Sequence, residues 1–476
     1  MKKLFRIRHL TMVTWCIAAV PTVQAASLLE VYQQALQSDP LIHEADARRL
    51  AASEAAPQAR SVLFPQIQGN AGFAQSKSSG NQLIFDAQLG AISAPFASDT
   101  DSDSWDIGLR QTVFRWDQIV GLKQAGKLVA KAEADYEAAQ QDLMTRVAQR
   151  YFDVLAAEDV LTSIHANRLA IARQLDQAKQ RFEVGLIAIT DVQESQAAHD
   201  QAVADEIGAK RSLATAREFL REITGEYSTS LAAPTEQFPL VSPDPADESS
   251  WVDLALSQNL TVVSSRLDEQ VARDEISFRR SGHLPTIDVV ADRSYNKQSG
   301  TTQFNSGPTF PVEGNSLGNS ISLQLNLPIF TGGRTSSRVR EAVYLHRASR
   351  EQLQRVARET ERQTRDAYLG VLAEISRVNA LKQAVASSRT ALEATEAGFE
   401  VGTRTIVDVL NSQFAVYAAI TNYYRSRYDY ISNVLRLKQA AGMLQVQDLE
   451  DIDQWLSERK PPEQAIKDEA ESPSES

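Results

Sequence analysis

The sequence predicts an α+β membrane protein in which amphipathic strands from several chains build one transmembrane β-barrel and very long coiled-coil helices continue its wall. Three observations predict it: helical stretches of extreme length, four segments of strict period-two alternation, and an internal repeat that supplies both elements twice.

The helices come first. Only 21 glycines and 16 prolines interrupt 476 residues, and alanine, glutamine, leucine, glutamate and arginine fill long stretches, a composition of long helices and coiled coil. From 117 to 184 there is no proline and little glycine, which at 1.5 Å per residue is about 100 Å of helix. Leu122, Ala125, Val129, Ala132, Tyr136, Ala139 and Leu143 alternate 3-4 spacings, as do Val378, Leu381, Val385, Ser388, Leu392, Thr395 and Phe399. These are coiled-coil seams, and their alanines permit close approach. A plain helical bundle has the same stripe.

The repeat is read from four matches in the same order at nearly one offset. FEVGLIAITDVQESQ from Phe182 matches FEVGTRTIVDVLNSQ from Phe399; residues 60–67 echo 280–287; LRQTVF from Leu109 echoes LNLPIF from Leu325; Tyr151 and Leu155 echo Tyr368 and Leu372. The chain therefore divides into a leader (1–25), a first repeat (26–226), a Pro-, Ser- and Thr-rich linker (227–249), a second repeat (250–448) and an acidic tail (449–476) expected to be disordered. Each repeat reads as helix, strand pair, very long helix, turn, helix. Val184-Gly185 and Val401-Gly402 end the long helices, since glycine readily takes the left-handed conformation that stops one.

The strand pairs are expected at 66–75 with 105–114 and at 286–295 with 319–329. Ile321, Leu323, Leu325, Leu327 and Ile329 alternate with Ser320, Ser322, Gln324 and Asn326, and Trp105, Ile107 and Leu109 with Asp106, Gly108 and Arg110. One apolar and one polar face mark a half-buried strand, and about ten residues suit a tilted bilayer crossing. Residues 75–104 and 296–319, full of Ser, Gly, Asn and Asp, are expected to be long aqueous loops. A soluble β-sandwich with such loops is the alternative.

Residues 1–25 combine Lys2, Lys3, Arg6 and Arg8 with an apolar stretch and a small-residue end, the pattern of a secretory signal peptide cleaved after Ala25; an uncleaved anchor is the alternative. Cys16, the one cysteine, lies inside it, which leaves no disulfide framework or thiol chemistry beyond it. The formal net charge is −12, more acidic still without the four leader cations, and does not suit a nucleic-acid partner. No later stretch has 18 apolar residues in a row, so a membrane crossing falls to the strands.

Four strands cannot close a barrel, and an open edge in lipid leaves backbone groups unpaired. Two chains supply eight strands, whose interior side chains fill; three supply twelve, which leave a passage. Polar inward faces favour twelve: a homotrimeric 12-stranded transmembrane β-barrel in outer-membrane lipid, four strands per chain, extended by the helices as a hollow cylinder. That is a conduit. No catalytic residue, metal site or cofactor is expected. The six histidines form no HxH or HExxH spacing, and GxSxG and GxxxxGK[ST] are absent. Thr331-Gly332-Gly333-Arg334 reads as a turn, and Asp99, Asp101 and Asp103 start a calcium-loop pattern that Ser104 and Arg110 break.

Near the start VYQQAL, then RFEVGLIAITDVQ, GHLPTIDV and VGTRTIVDVL carry a resemblance to the outer membrane factor family, the TolC-type channels, from about Leu28 to Asp448. The resemblance implies a trimeric exit duct for tripartite drug efflux and type I secretion, in the outer membrane and reaching into the periplasm. Its implied partners are a periplasmic membrane-fusion adaptor and an inner-membrane efflux pump or ABC exporter. It implies adaptor docking at Val184, Gly185, Leu186, Val401, Gly402 and Thr403, and a gate in which Arg404 bonds Thr190 or Asp191, with Asp191 and Asp408 at the constriction. Two positions depart from the family: Asn411 replaces a second acid, and Phe399 replaces a gate tyrosine. A less acidic constriction lacking one gate hydrogen bond is expected. A periplasmic coiled-coil adaptor or structural protein is the rival reading; it would show one hairpin and no membrane-type strand pairs.

Overall fold

The computed structural model describes residues 25–86, 90–228, 230–235, 237–304 and 307–458. The expected leader, apart from Ala25, lies outside them, as does the tail beyond 458. In chain order the elements are α1 (Leu28–Ser38), α2 (Pro40–Ser53), α3 (Ala55–Ser61), β1 (Gln66–Asp86), β2 (Gly90–Phe114), α4 (Trp116–Glu183), α5 (Ile189–Thr224) and β3 (Ala233–Pro234). Then follow α6 (Glu248–Gln258), α7 (Leu260–Arg280), a 3-10 turn (Ser281–His283), β4 (Thr286–Phe304), β5 (Thr309–Asn326), α8 (Arg334–Glu400), α9 (Ile406–Ala440), α10 (Val446–Asp453) and β6 (Leu456–Ser457). The same order occurs twice, and the same chemistry starts it. Ser27 caps α1 and Asp247 caps α6; Asp39 caps α2 and Asn259 caps α7, each side chain accepting from a first-turn amide. Such caps satisfy amides that have no partner inside the helix.

The long helices hold 68 and 67 residues, each about 100 Å. The two expected seams are buried or half-buried throughout, because that part of α4 packs along α7 and α2, and α8 packs along α9.

The sheet has the order β1-β2-β4-β5, all antiparallel, so the inner strands of the two repeats pair and β1 and β5 remain as edges. Its strands are longer than expected. Among the described residues, 75–86, 90–104, 296–304 and 309–319 are ladder, not loop. Ladder hydrogen bonds satisfy backbone groups whatever the side chains are, so Ser-, Asn- and Asp-rich segments pair once their neighbours set the register. The last strand ends at Asn326, so Leu327 and Ile329 stand beyond it. Asp99, Asp101 and Asp103 lie on β2, where period two aligns them on one face rather than around an ion.

Register divides the sheet into two chemically opposite faces. One carries Phe114, Ile287 and Leu325 on one rung, Ile67, Leu109, Ala291 and Ile321 on another, and Ala71, Trp105, Tyr295 and Leu317 on a third. Ile321 is 84 % exposed in the single chain, as a lipid-facing residue is. From Ile287 to Tyr295 this band spans about 27 Å of strand, which at a tilt near 40° is about 21 Å of membrane height, a little under the apolar band of such barrels. Trp105 stacks on Tyr295 at 6.0 Å as an aromatic girdle. Arg293 and Asn319 interrupt the band one rung below, near enough for Arg293 to extend its head to the interface. The opposite face carries Gln66, Arg110 and Ser322, then Gln68, Asp292 and Ser320, then Asn70, Asp106 and Ser294.

The densest core sits at mid-height of the long helices. Leu28, Leu143, Leu155, Leu213, Ile431 and Leu435 are fully buried there. Phe152 stacks on Tyr428 at 5.6 Å, and the Tyr151 hydroxyl donates to Ala232 O at 2.6 Å. The tail expected from 449 enters this core: Leu449 is fully buried on α10 and β6 pairs with β3. Leu449 and Ile452 lie three apart on one helical face, an amphipathic signal that the acidic composition around them masks.

Candidate functional site at the hairpin tips

Each long helix ends in the same device. Gly185 (φ +77°) donates to Phe182 O at 2.9 Å while Leu186 donates to Arg181 O at 2.9 Å. Gly402 (φ +78°) donates to Phe399 O at 3.0 Å while Thr403 donates to Gly398 O at 2.8 Å. These paired bonds close a helix C-terminus through a left-handed residue that only glycine adopts without strain. The consequence is a blunt, small, apolar end. Val184, Leu186 and Val401 are 70 %, 73 % and 74 % exposed, and a side chain grown at Gly185 or Gly402 would meet nothing within 4 Å.

The return helices start differently. Thr405 caps α9 in a reciprocal box: its hydroxyl lies 3.3 Å from the Asp408 amide, and Asp408 Oδ2 accepts from the Thr405 amide at 2.9 Å and hydroxyl at 3.0 Å. The backbone and hydroxyl bonds from Thr405, with the Arg404 charge, hold the Asp408 carboxyl below its ordinary pKa. α5 has Ala188 at its N-cap and no side-chain cap.

Between the hairpins lies a cavity of about 350 Å³ lined by Asp191, Phe399, Arg173, Glu396, Gln413 and Arg181 among others. Arg181, from the end of α4, places its guanidinium 5.1 Å from the centre of the Phe399 ring on α8, so a cation–π contact joins the two hairpins. Gln413 is 4 % exposed, and its Oε1 has no partner among the described residues. Burial pushes the nearby Tyr417 phenol up; Arg173 opposes the rise and Glu396 adds to it.

The structure thus brings Asp191 and Phe399 to one cavity, and Arg404 beside Asp408. Among the described residues Arg404 makes no hydrogen bond or ion pair with Thr190 or Asp191 within the chain. Its stem instead crosses Gly398, where a Cβ would stand 2.8 Å from Cγ. Thr190 and Asn411 are exposed. Arg181 was missed by sequence reasoning although it opens the RFEVG motif, because its partner is distant in sequence.

The outer membrane efflux protein family model matches residues 31–226 and 251–443. The chain belongs to the outer membrane efflux protein family. It is similar to outer membrane protein TolC of Vibrio cholerae serotype O1, at 39 % identity covering 92 % of this chain and 95 % of that one. It is similar to TolC of Escherichia coli at 37 %, covering 91 % and 86 %. The alkaline protease secretion protein AprF of Pseudomonas aeruginosa is 28 % identical, covering 90 % and 86 %. Among solved structures, CusC superposes with a TM-score of 0.71 at 16 % identity, covering 88 % and 92 %. The outer membrane protein VceC of Vibrio cholerae gives 0.67 at 20 %, covering 87 % and 96 %. The fold is therefore that of this family's trimeric channels, with four strands per chain in a twelve-stranded barrel and helices extending into the periplasm. Members of the family are outer-membrane channels. Among the described residues no helix is long and apolar enough to cross a membrane, a statement that leaves the strands free to do so.

Proposed function

We propose that this chain is the exit duct of an export machine, serving drug efflux and type I secretion, and that it is shut at the periplasmic hairpin tips and docked there by an adaptor. One observation supports the duct above others: a four-stranded sheet with an apolar face, a polar face and two open edges, continued by helices of about 100 Å. Such a sheet is complete only when copies close it, and its polar faces then line water.

In this reading Val184, Gly185, Leu186, Val401, Gly402 and Thr403 form the docking end. Their bare glycine backbones and exposed apolar side chains admit a partner's helical hairpin at close range. That partner is a periplasmic membrane-fusion adaptor, itself bound to an inner-membrane efflux pump or ABC exporter. Arg404 reaches Thr190 and Asp191 of a neighbouring copy, and breaking that contact lets the hairpins part. Threefold symmetry gathers three Asp191 carboxylates around one axis, where they attract cations. With Asn411 and Phe399 in place of an acid and a tyrosine, Arg181 on Phe399 supplies a hold between hairpins that a hydroxyl would otherwise give.

Single-channel conductance in planar bilayers tests this. The unsubstituted protein is expected to give small, cation-selective currents, larger in Arg404→Ser and less selective in Asp191→Ala. A wide pore that neither substitution changes would place the gate elsewhere, and no pore at all would overturn the duct.

A further inference from the structure

Strands hand over to helices at one level of the molecule, and the free charges there have one sign. Arg60 lies in the last turn of α3 and Arg280 ends α7, each shortly before its strand begins. The two positions are equivalent in the repeat. Arg334 opens α8 soon after β5 ends, and Arg338 and Arg340 follow it. All are exposed, and among the described residues none of them makes an ion pair. The acids at this level are engaged: Asp117 with Arg115 at 3.8 Å, Glu275 with Arg279 at 2.7 Å, Asp288 with Arg110 at 3.9 Å and Asp274 with Lys127 at 2.6 Å. Glu341, the first acid on α8, makes no ion pair with the arginines before it. The helix itself opposes this excess, because an N-terminus carries partial positive charge and disfavours cations in its first turns. α4, the same element of the first repeat, starts with Asp117; α8 has no acid in its first turn and no side-chain cap. The turn before α8 is bare backbone. Gly332 and Gly333 stand at φ +61° and +81°, and a Cβ on either would meet nothing within 4 Å.

We propose that this junction is a lipid-anchoring surface, in which Arg334, Arg338 and Arg340 hold the phosphates of anionic phospholipids in the periplasmic leaflet. Arg280 stands next to them, since a Cβ on Gly282 would lie 3.0 Å from Thr335 Cγ2 and so the end of α7 meets the start of α8. Arg60 occupies the equivalent point of the first repeat. The inference rests on the reading in which the strands cross the outer membrane. Level and charge choose the partner. The apolar band of the ladder falls a little short of the bilayer's apolar height, and β5 runs on past its end into exposed Leu327, Ile329 and Phe330. The arginines come next, where hydrocarbon gives way to headgroups, and their long stems can lie along the apolar boundary while the guanidinium reaches phosphate. Anions there are needed from outside, because the acids of the chain at this level are already engaged. A guanidinium matches two phosphate oxygens, and a phosphate before α8 turns the opposition of the helix dipole into attraction. Basic residues beside an anionic leaflet are held to it in this way. The adaptor is not the partner, because the docking end lies at the far end of helices about 100 Å long.

Lipid selectivity tests it. The full chain is reconstituted into phosphatidylcholine vesicles, and electron spin resonance reads how much of a trace spin-labelled lipid is immobilised at the protein surface. Labelled phosphatidylglycerol is expected to associate about threefold or more better than labelled phosphatidylcholine at low salt. The preference should fall toward unity near 1 M salt, where the screening length is about 3 Å. It should also fall in the combined Arg334→Gln, Arg338→Gln and Arg340→Gln variant, and survive when the same three become lysine. Arg358→Gln, far along α8 and away from the membrane, should leave it unchanged. Arg293 and the cations of the outer strand ends remain in every variant, so a preference that survives the three glutamines, or falls as much in Arg358→Gln, would overturn the proposal. So would the absence of any preference, or one indifferent to salt, in the unsubstituted protein, a result that needs no variant to fold. Each of these leaves the duct standing. A chain that immobilises no lipid at all would defeat the membrane-crossing strands as well.

Discussion

The two hairpin tips descend from one pattern and have diverged where the return helix begins. Where the second tip has Arg404 and Thr405, the first has Ile187 and Ala188. The helix stops are the same, glycine at φ +77° and +78°. The starts are not. Thr405 engages Asp408 in a capping box, so this carboxylate is occupied by its own backbone and less available to an ion on the axis. Asp191, its counterpart, follows an uncapped start and lines the cavity between hairpins. The sequence expectation treated the two aspartates as equivalent constriction charges; the local bonding separates them. Among the described residues the first tip's acid has no side-chain partner within the chain, and the second tip keeps a cation and a capped start.

The largest effect is expected from removing that asymmetry of charge. Arg404→Ile makes the second tip resemble the first. Open probability should then rise roughly tenfold or more, because one charge-assisted hydrogen bond is worth about 1.5–3 kcal/mol. Bilayer recordings would show it, and unchanged gating would remove Arg404 from the closed state.

Next comes the contact that joins the tips. Arg181→Gln and Phe399→Leu should each raise opening by a few-fold, consistent with about 0.5–2 kcal/mol for a cation–π pair. The double variant should open no further than either single one. Additive effects would mean that the two side chains act separately.

A smaller change is expected from exchanging the caps. Thr405→Ala should destabilise the start of α9 by about 1 kcal/mol, seen as faster amide exchange over its first turn. Ala188→Thr should slow exchange at the start of α5, since Asp191 already stands where the box needs an acid. It should also weaken cation selectivity by engaging that carboxylate. Protection of α5 without loss of selectivity would dissociate Asp191 from the pore.

The smallest effect is that of pH. The folded pKa of Asp408 is lowered by Thr405 and Arg404. Its contribution is therefore present above the unfolded pKa and is lost as pH falls through the lowered value. Acid should loosen the start of α9, and Asp408→Asn should abolish that pH dependence. Exchange that still accelerates in that variant would contradict the capping box as its cause.

Much of this was legible before any fold was known, for identifiable reasons. The seam ending at Phe399 keeps its spacing because a helix of that length must present one stripe to its neighbours. Gly185 and Gly402 read as stops because few other residues take φ near +77°. The strands were legible only where they cross lipid. Residues 75–104 show no alternation of apolar and polar types because both faces of that ladder meet water, apart from the inner Phe96 and Ala94. Their pairing is carried by backbone and by the strands beneath. Leu449 was lost within an acidic tail because two apolar side chains are too few to show a period.

What the sequence by itself determined is whatever depends on periodicity: the repeat, the long helices, their glycine stops, and the membrane-crossing portions of four strands with one apolar face. What only the tertiary structure decided depends on partners distant along the chain. It put Arg181 over Phe399 and carried Leu449 into the core beside Leu28. The physical reason is range. Helix and strand periods are local and recur, so a linear reading recovers them. A cation–π contact between residues 218 apart or a register held over two hairpins leaves no local trace, because each residue's role is set by what the fold brings opposite it.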